Sequence, residues 1–283
     1  MTYVPYGKSA SGPWSVEITP PTAGWTYSGL RIVDLADAPV SFDTGDEEVL
    51  VLPLAGSCTV TISGTVPGDT FELTGRASVF DGPSDFAYIP ISTHVTLQGT
   101  GRIAVPSARA TRALDARYVP ASEVPVELRG AGQASRQVNN FCAPDVFDCD
   151  KLMAVEVITP GGNWSSYPPH KHDTDNPGEA VLEEIYYFEV RDEGLGYQRV
   201  YSSEHGHIDT LAEVSSGDVV LVPYGYHGPS MAAPGYDLYY LNVLAGPAAQ
   251  RSMAFCDDPR HAWIRSSWND QPIDPRLPFG RTS

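Results

Sequence analysis

The chain has few cysteines, no long apolar run and few basic residues. Its four cysteines, Cys58, Cys142, Cys149 and Cys256, form no C-x-x-C pair. So sparse a set in 283 residues is not a disulfide framework, and the reading is of reduced, structural thiols in a cytoplasmic protein. No uninterrupted apolar stretch approaches the ~18 residues of a membrane span, and "MTYVPYGKSASGPWSVEI" lacks the basic and apolar regions of a leader. Lys and Arg number 18 against 35 Asp and Glu, a formal charge of −17. Nucleic acid and anionic membranes demand clustered cations, so neither is expected as a partner. An anionic small molecule would need a local positive charge or a metal ion.

Convincing helical periodicity is also lacking. Instead, apolar residues alternate with a period of two in "CTVTISG", "DVVLVP" and "DLYYLNV". The 26 glycines and 25 prolines punctuate short strands, as in "PGDT", "DGPSD" and "APGYD". These features predict an all-β chain of sandwich or barrel type.

A weak internal repeat divides it. "EEVLVLPLAG" from Glu47 is followed by "DFAYIPISTH" from Asp85, and "EEIYYFEV" from Glu183 by "DVVLVPYGYH" from Asp218. Asp85, Pro90 and His94 thereby match Asp218, Pro223 and His227, and the second glutamates, Glu48 and Glu184, pair off by spacing. Two copies of one β-domain are expected, residues 1–130 and 131–283, joined through the Pro- and Gly-rich stretch 118–137. Upstream of Glu48 there is no histidine, so the first copy is degenerate and its lone His94 is read as structural.

In the second copy, "PPHKHDTDNPGEAVLEEIYYFEV" places His170 and His172 one residue apart. Residues i and i+2 of a strand share a face, so both imidazoles can reach one ion while Lys171 points away. A glutamate entering the next strand supplies a third ligand, Glu184 being favoured over Glu183, and His227 a fourth. Three imidazoles and a carboxylate suit Zn, Fe, Mn, Ni or Co, and spacing does not choose among them. His205 and His207 form a second H-x-H, read as a hairpin tip. With Glu184 inward, Tyr186 shares its face and can donate to a substrate oxygen. Arg199, on one face with Tyr197 and Tyr201, is a candidate clamp for a carboxylate. Tyr240 and Asn242 offer polar groups on one face of "LYYLNV", and Arg136 and Arg251 are further carboxylate candidates.

The order H-x-H, glutamate, Pro-x-Gly-x-His resembles the two cupin motifs, and a degenerate copy before an intact one resembles a bicupin. More closely, "GGNWSSYPPHKHD", "LEEIYYFEV", "YQRVYS", "GDVVLVPYGYHGPSMAAPGYDLYYLNVLAGP" and "DDPRHAWIRSSW" resemble the 5-deoxy-glucuronate isomerase family of inositol catabolism. These runs span most of the C-terminal half. The resemblance implies two jelly-roll-like cupin barrels and conversion of 5-deoxy-D-glucuronate, an aldose, to the ketose 2-deoxy-5-keto-D-gluconate. It also implies a divalent metal, zinc being the commonest assignment among related uronate isomerases, held by His170, His172, Glu184 and His227. The insert "TDNPGEAV" exceeds the usual cupin spacing but is familiar in this family. An iron-dependent cupin dioxygenase and a non-enzymatic sugar-binding cupin are the alternatives, and a homo-oligomer is compatible with the fold.

Overall fold

Two long strands, Glu47–Gly64 and Thr93–Arg109, organise the N-terminal half. They pair with each other in register from Glu47 opposite Arg109 to Gly64 opposite Thr93, and carry the centre of an eight-stranded antiparallel sheet. Strands this long must bend to close on themselves, and here glycine makes the bend. Gly56 and Gly101 face one another at φ +90° and +98°, and a Cβ on Gly56 would lie 2.0 Å from the Thr100 carbonyl oxygen. Only glycine lets two backbones approach so closely. The curled sheet encloses a largely aliphatic interior that includes Val49, Val51, Ile89, Ile103 and Val105.

The structure, a computed structural model, describes residues 2–36, 38–64 and 68–280. In the C-terminal half a seven-stranded sheet has Glu183–Val190 between Val219–Val222 and Leu238–Ala245, followed by Met153–Thr159 and Arg136–Asn140. A six-stranded sheet built on Gly206–Val214, Gly196–Ser203 and Tyr226–Ala232 lies across from it. Val155, Tyr186, Phe188 and Tyr240 of the first sheet pack on Val200, Ala212 and Ala232 of the second, which makes the second barrel. Two strands on the N-terminal side of residue 130, Tyr3–Val4 and Val126–Arg129, pair at the edges of the seven-stranded sheet.

The strands facing the other half are buried on both sides, so alternate residues serve different cores. Leu50, Leu52 and Tyr88 meet Ile185, Tyr187, Leu221 and Leu241 in a core shared by the two halves. Each fully buried side chain of this kind contributes roughly 1.5–3 kcal/mol before entropy is counted. Polar ties cross the same joint. Arg76 pairs bidentately with Glu156, both contacts at 2.7 Å, and Asn139 and Tyr239 donate to the same carboxylate. Glu48 accepts the backbone N–H groups of Asp150, Lys151 and Leu152, while Glu183 accepts those of Thr26, Tyr27 and Ser28. Each half thus holds the other with one glutamate.

These clamps correct the repeat as spacing aligned it. Val49 faces Ile89 and Ser107 as Glu184 faces Val222 and Leu244, so the counterpart of Glu184 is Val49. Glu48 is instead the counterpart of Glu183. The two copies differ in length between glutamate and histidine, and sequence spacing absorbed that difference as a one-residue slip.

Candidate metal centre

Strand parity turns Glu183 to the joint and Glu184 to the barrel interior, where it is 4% exposed. His227, fully buried on the opposite sheet, places Nε2 3.0 Å from Glu184 Oε2, and His172 places Nε2 2.9 Å from the same oxygen. Ligand atoms of His172, Glu184 and His227 all lie within 4.8 Å of one another.

The histidines are oriented from behind. Nδ1 of His170 donates to the Pro168 carbonyl, that of His172 to the Leu182 carbonyl and that of His227 to the Gly225 carbonyl, at 3.2, 3.1 and 3.3 Å. A proton on each Nδ1 leaves each Nε2 with a lone pair, the arrangement that metal-binding histidines require. The Nε2 of His227 is buried and, despite its nearness to Glu184, has no hydrogen bond of acceptable geometry. A buried nitrogen left unpaired beside a carboxylate costs free energy unless something else occupies the point where they converge. The donor set, two neutral imidazole nitrogens and a carboxylate, fits a divalent cation. Burial opposes ionisation of Glu184, but the charge and contacts of His227 and His172 hold its carboxyl far below the usual range. Burial would lower His172, yet a hydrogen bond to Glu184 raises it above the ordinary histidine value, so a proton competes with a cation for the same Nε2.

His170 stands at the margin of this group. Its Cα is the cross-strand partner of His227 and its ring lies 4.5 Å from that imidazole, centroid to centroid. It lines the cavity, but its nitrogens fall outside the convergent set. The strand His170–Lys171 ends before His172, which is held by Leu182: its carbonyl accepts the Leu182 N–H as its Nδ1 donates back. Lys171 points away from the cavity, though not into solvent. It is 6% exposed and pairs with Asp173 and Glu179, both at 2.8 Å. The acidic insert that follows is a small hairpin, Asp173–Asn176 with Glu179–Val181, closed on that lysine.

The centre opens into a cavity of about 290 Å³ lined also by Tyr186, Tyr240, Asn242 and Arg136. Tyr186 and Tyr240 are fully buried, and burial pushes both phenols above their ordinary value. Ser166 Oγ lies 3.1 Å from each phenol oxygen and links them. Asn242 Nδ2 is buried with no acceptor among the described residues.

Two expected site residues lie elsewhere. Arg199 shares a face with Tyr197 and Tyr201, as alternation predicts, but that face is the outer one. Gln198 and Val200 fill the interior, while Arg199 pairs with Asp209 and Tyr197 with Glu213. Arg251 clasps a loop by donating to the carbonyls of Cys142, Leu152 and Phe147, so its guanidinium is spent on backbone. His205 lies in a hairpin turn and His207 just beyond it, and His94 is half exposed against Asp43. Sequence reasoning missed Ser166, Arg129 and Arg265, all on the cavity wall. Ser166 lies in the quoted run just ahead of the histidines and Arg265 in "HAWIRSSW", but neither sits on a strand whose phase could be read.

The KduI/IolB family model matches residues 2–264. The 5-deoxy-glucuronate isomerase of Geobacillus kaustophilus (strain HTA426) is 42% identical over 259 residues, covering 89% of this chain and 91% of that relative. An IolB-like protein from Salmonella typhimurium LT2 superposes with a TM-score of 0.85 at 34% identity, over 93% of this chain and 99% of that one. The oxalate decarboxylase of Lactobacillus farciminis, 11% identical, gives a TM-score of 0.62 over 89% of this chain and 88% of its own. At that identity the likeness shows the fold alone, the all-β cupin architecture. Among the described residues no helix is long and apolar enough to cross a membrane.

Proposed function

Because this chain belongs to the KduI/IolB family, we propose that it isomerises 5-deoxy-D-glucuronate to 2-deoxy-5-keto-D-gluconate, an aldose-to-ketose step of inositol catabolism, in the cavity of its C-terminal barrel. The observation that carries the reading is the convergence of His172, Glu184 and His227 on one point at the wall of a cavity that also holds neutral hydroxyls and three arginines.

The reaction removes a proton from C2 and delivers one to C1 through an enediol. A divalent ion at the centre, which we take to be zinc, supplies Lewis acidity toward the carbonyl oxygen. His172, Glu184 and His227 would hold it, and His170, beside His227, would be the fourth donor of the expected set. Tyr186 and Tyr240 stay protonated, and one of the two serves as a hydrogen-bond donor to a substrate oxygen. Ser166 sets their directions: three hydroxyls in a row spend two protons on each other and leave one to offer to the cavity. Asn242 brings an amide N–H that has no protein acceptor to lose. A site of such prearranged donors stabilises charge as it develops, with little reorganisation.

We keep residues 1–130 and 131–283 as the two units, the first a scaffold, and a reducing compartment such as the cytoplasm, which suits four free cysteines. Metal-replete protein incubated with 5-deoxy-D-glucuronate in D2O should form the ketose, with solvent deuterium appearing at C1, as followed by NMR. Oxygen uptake without ketose would show that another cupin chemistry operates.

A further inference from the structure

Two deeply buried arginines of this protein are treated differently. Arg76, 9% exposed, is neutralised by the two oxygens of Glu156. Arg136, 5% exposed, meets no carboxylate among the described residues. Its Nη1 donates to the carbonyls of Ala134 and Tyr167, at 2.9 and 3.4 Å, and its Nε and Nη2 have no acceptor among the described residues. A buried cation without a counter-ion is costly, and burial, reinforced by Arg129 and Arg265, brings the Arg136 pKa down to about 10.

The surroundings make the cost greater. Arg129 is the cross-strand partner of Arg136, a juxtaposition of like charges that destabilises a sheet. Gly130, at φ +78°, gives the guanidinium room, since a Cβ there would lie 2.7 Å from Nη1. Arg265 reaches the same wall from the C-terminal segment, and the guanidinium carbons of Arg136 and Arg265 sit 5.4 and 5.2 Å from the ring centroid of Trp268. The Trp268 Nε1 is itself buried without an acceptor. Arg129 is matched by Glu127 and Arg265 by Asp257, so the three cations meet two anions and one positive charge is left over, at Arg136.

We propose that Arg136, Arg265 and Trp268 form a pocket for a single carboxylate, which restricts the site to aldoses ending in a carboxylate and rejects the same sugars ending in a hydroxymethyl group. The proposal rests on the isomerase reading and adds the groups that select the substrate. In a chain of charge −17 this pocket is where an anion finds a compensating charge. A guanidinium with Nε and Nη2 free presents the edge that binds carboxylate through two parallel hydrogen bonds. The C-terminal segment therefore takes part in specificity although it lies outside the strands of both barrels.

The test compares 5-deoxy-D-glucuronate with its analogue reduced to the primary alcohol. Wild type should prefer the carboxylate by ~10²-fold or more in kcat/KM, since a site built around a polar group rejects a substrate that lacks its partner. Arg136→Met should erase that preference, raising KM for the uronate while leaving the alcohol unchanged, and Arg136→Lys should restore part of it. Arg265→Gln, on the C-terminal segment, should lower the preference ~10-fold and serves if Arg136→Met does not fold. A preference that survives both substitutions overturns the proposal. If wild type converts neither sugar, the isomerase reading fails and calorimetry with D-glucuronate decides the pocket separately. Binding that disappears in Arg136→Met supports it, and absence of binding to wild type overturns it.

Discussion

The central strands of the two halves pair in the same register and carry different chemistry on their inner faces. Where the C-terminal barrel has Glu184, Tyr240 and Asn242, register places Val49, Ile103 and Val105 in the N-terminal barrel. A polar interior needs partners for every group, and among the described residues the C-terminal barrel leaves three buried nitrogens without them, on Gln198, His227 and Asn242. Among the described residues the N-terminal interior is filled mainly by buried aliphatics, with the Ser107 hydroxyl as its unpaired polar group. The frame is therefore stable with either filling, and chemistry was free to remain in one copy only. The faces that did not diverge are those at the joint, where Glu48 and Glu183 perform the same task in opposite directions.

The sharpest way to break the contrast is to take the carboxylate out of the polar barrel. Glu184→Gln should lower turnover by ~10³-fold or more and abolish metal retention, because it removes the donor both histidines address. Circular dichroism and the melting curve should stay those of a folded protein. The symmetry of the joint is tested next. Glu48→Gln should cost ~2–4 kcal/mol in urea unfolding, since three backbone N–H groups lose a charged acceptor, and Glu183→Gln should cost a comparable amount. Unequal losses would mean that the reciprocal clamps are not equivalent.

Asp150 tests the joint through pH. Burial opposes its ionisation, but Thr111 and Arg112 hold its carboxyl down to about 2. Its contribution is thus present above the ordinary aspartate range and lost as pH falls toward about 2. Asp150→Asn should destabilise by ~1–2 kcal/mol at pH 7, with the difference from wild type shrinking below pH ~4. The smallest effect belongs to Ser166→Ala, which should lower kcat ~10-fold with metal content unchanged, as expected when a group that orients donors is removed and the ligands are not.

Much of this was legible because period-two alternation and H-x-H carry their own geometry. Pattern favoured Glu184, parity then put Tyr186 on its face and turned Lys171 away from the two histidines, and Tyr240 was preferred only for the polar groups of its face. Parity does not give phase, however. In "YQRVYS" both faces carry polar groups, and only packing shows that Gln198 and Val200 go inside, which takes Arg199 to the surface. Arg251 could not be placed because a loop arginine that binds carbonyls has no periodic signal. Ser166 and Arg265 escaped for the same reason, since they reach the cavity from segments with no strand pattern. Glu48 was matched to the wrong glutamate because spacing counts residues and register counts hydrogen bonds.

The claim that one barrel of the two performs the chemistry is tested most directly by titrating metal-free protein with zinc while following both bound ion and turnover. The account predicts that activity rises linearly and reaches its plateau at one ion per chain, and that Glu184→Gln binds no tight ion and gains no activity. Full turnover in metal-free protein, or a plateau reached only at two ions per chain, would contradict it.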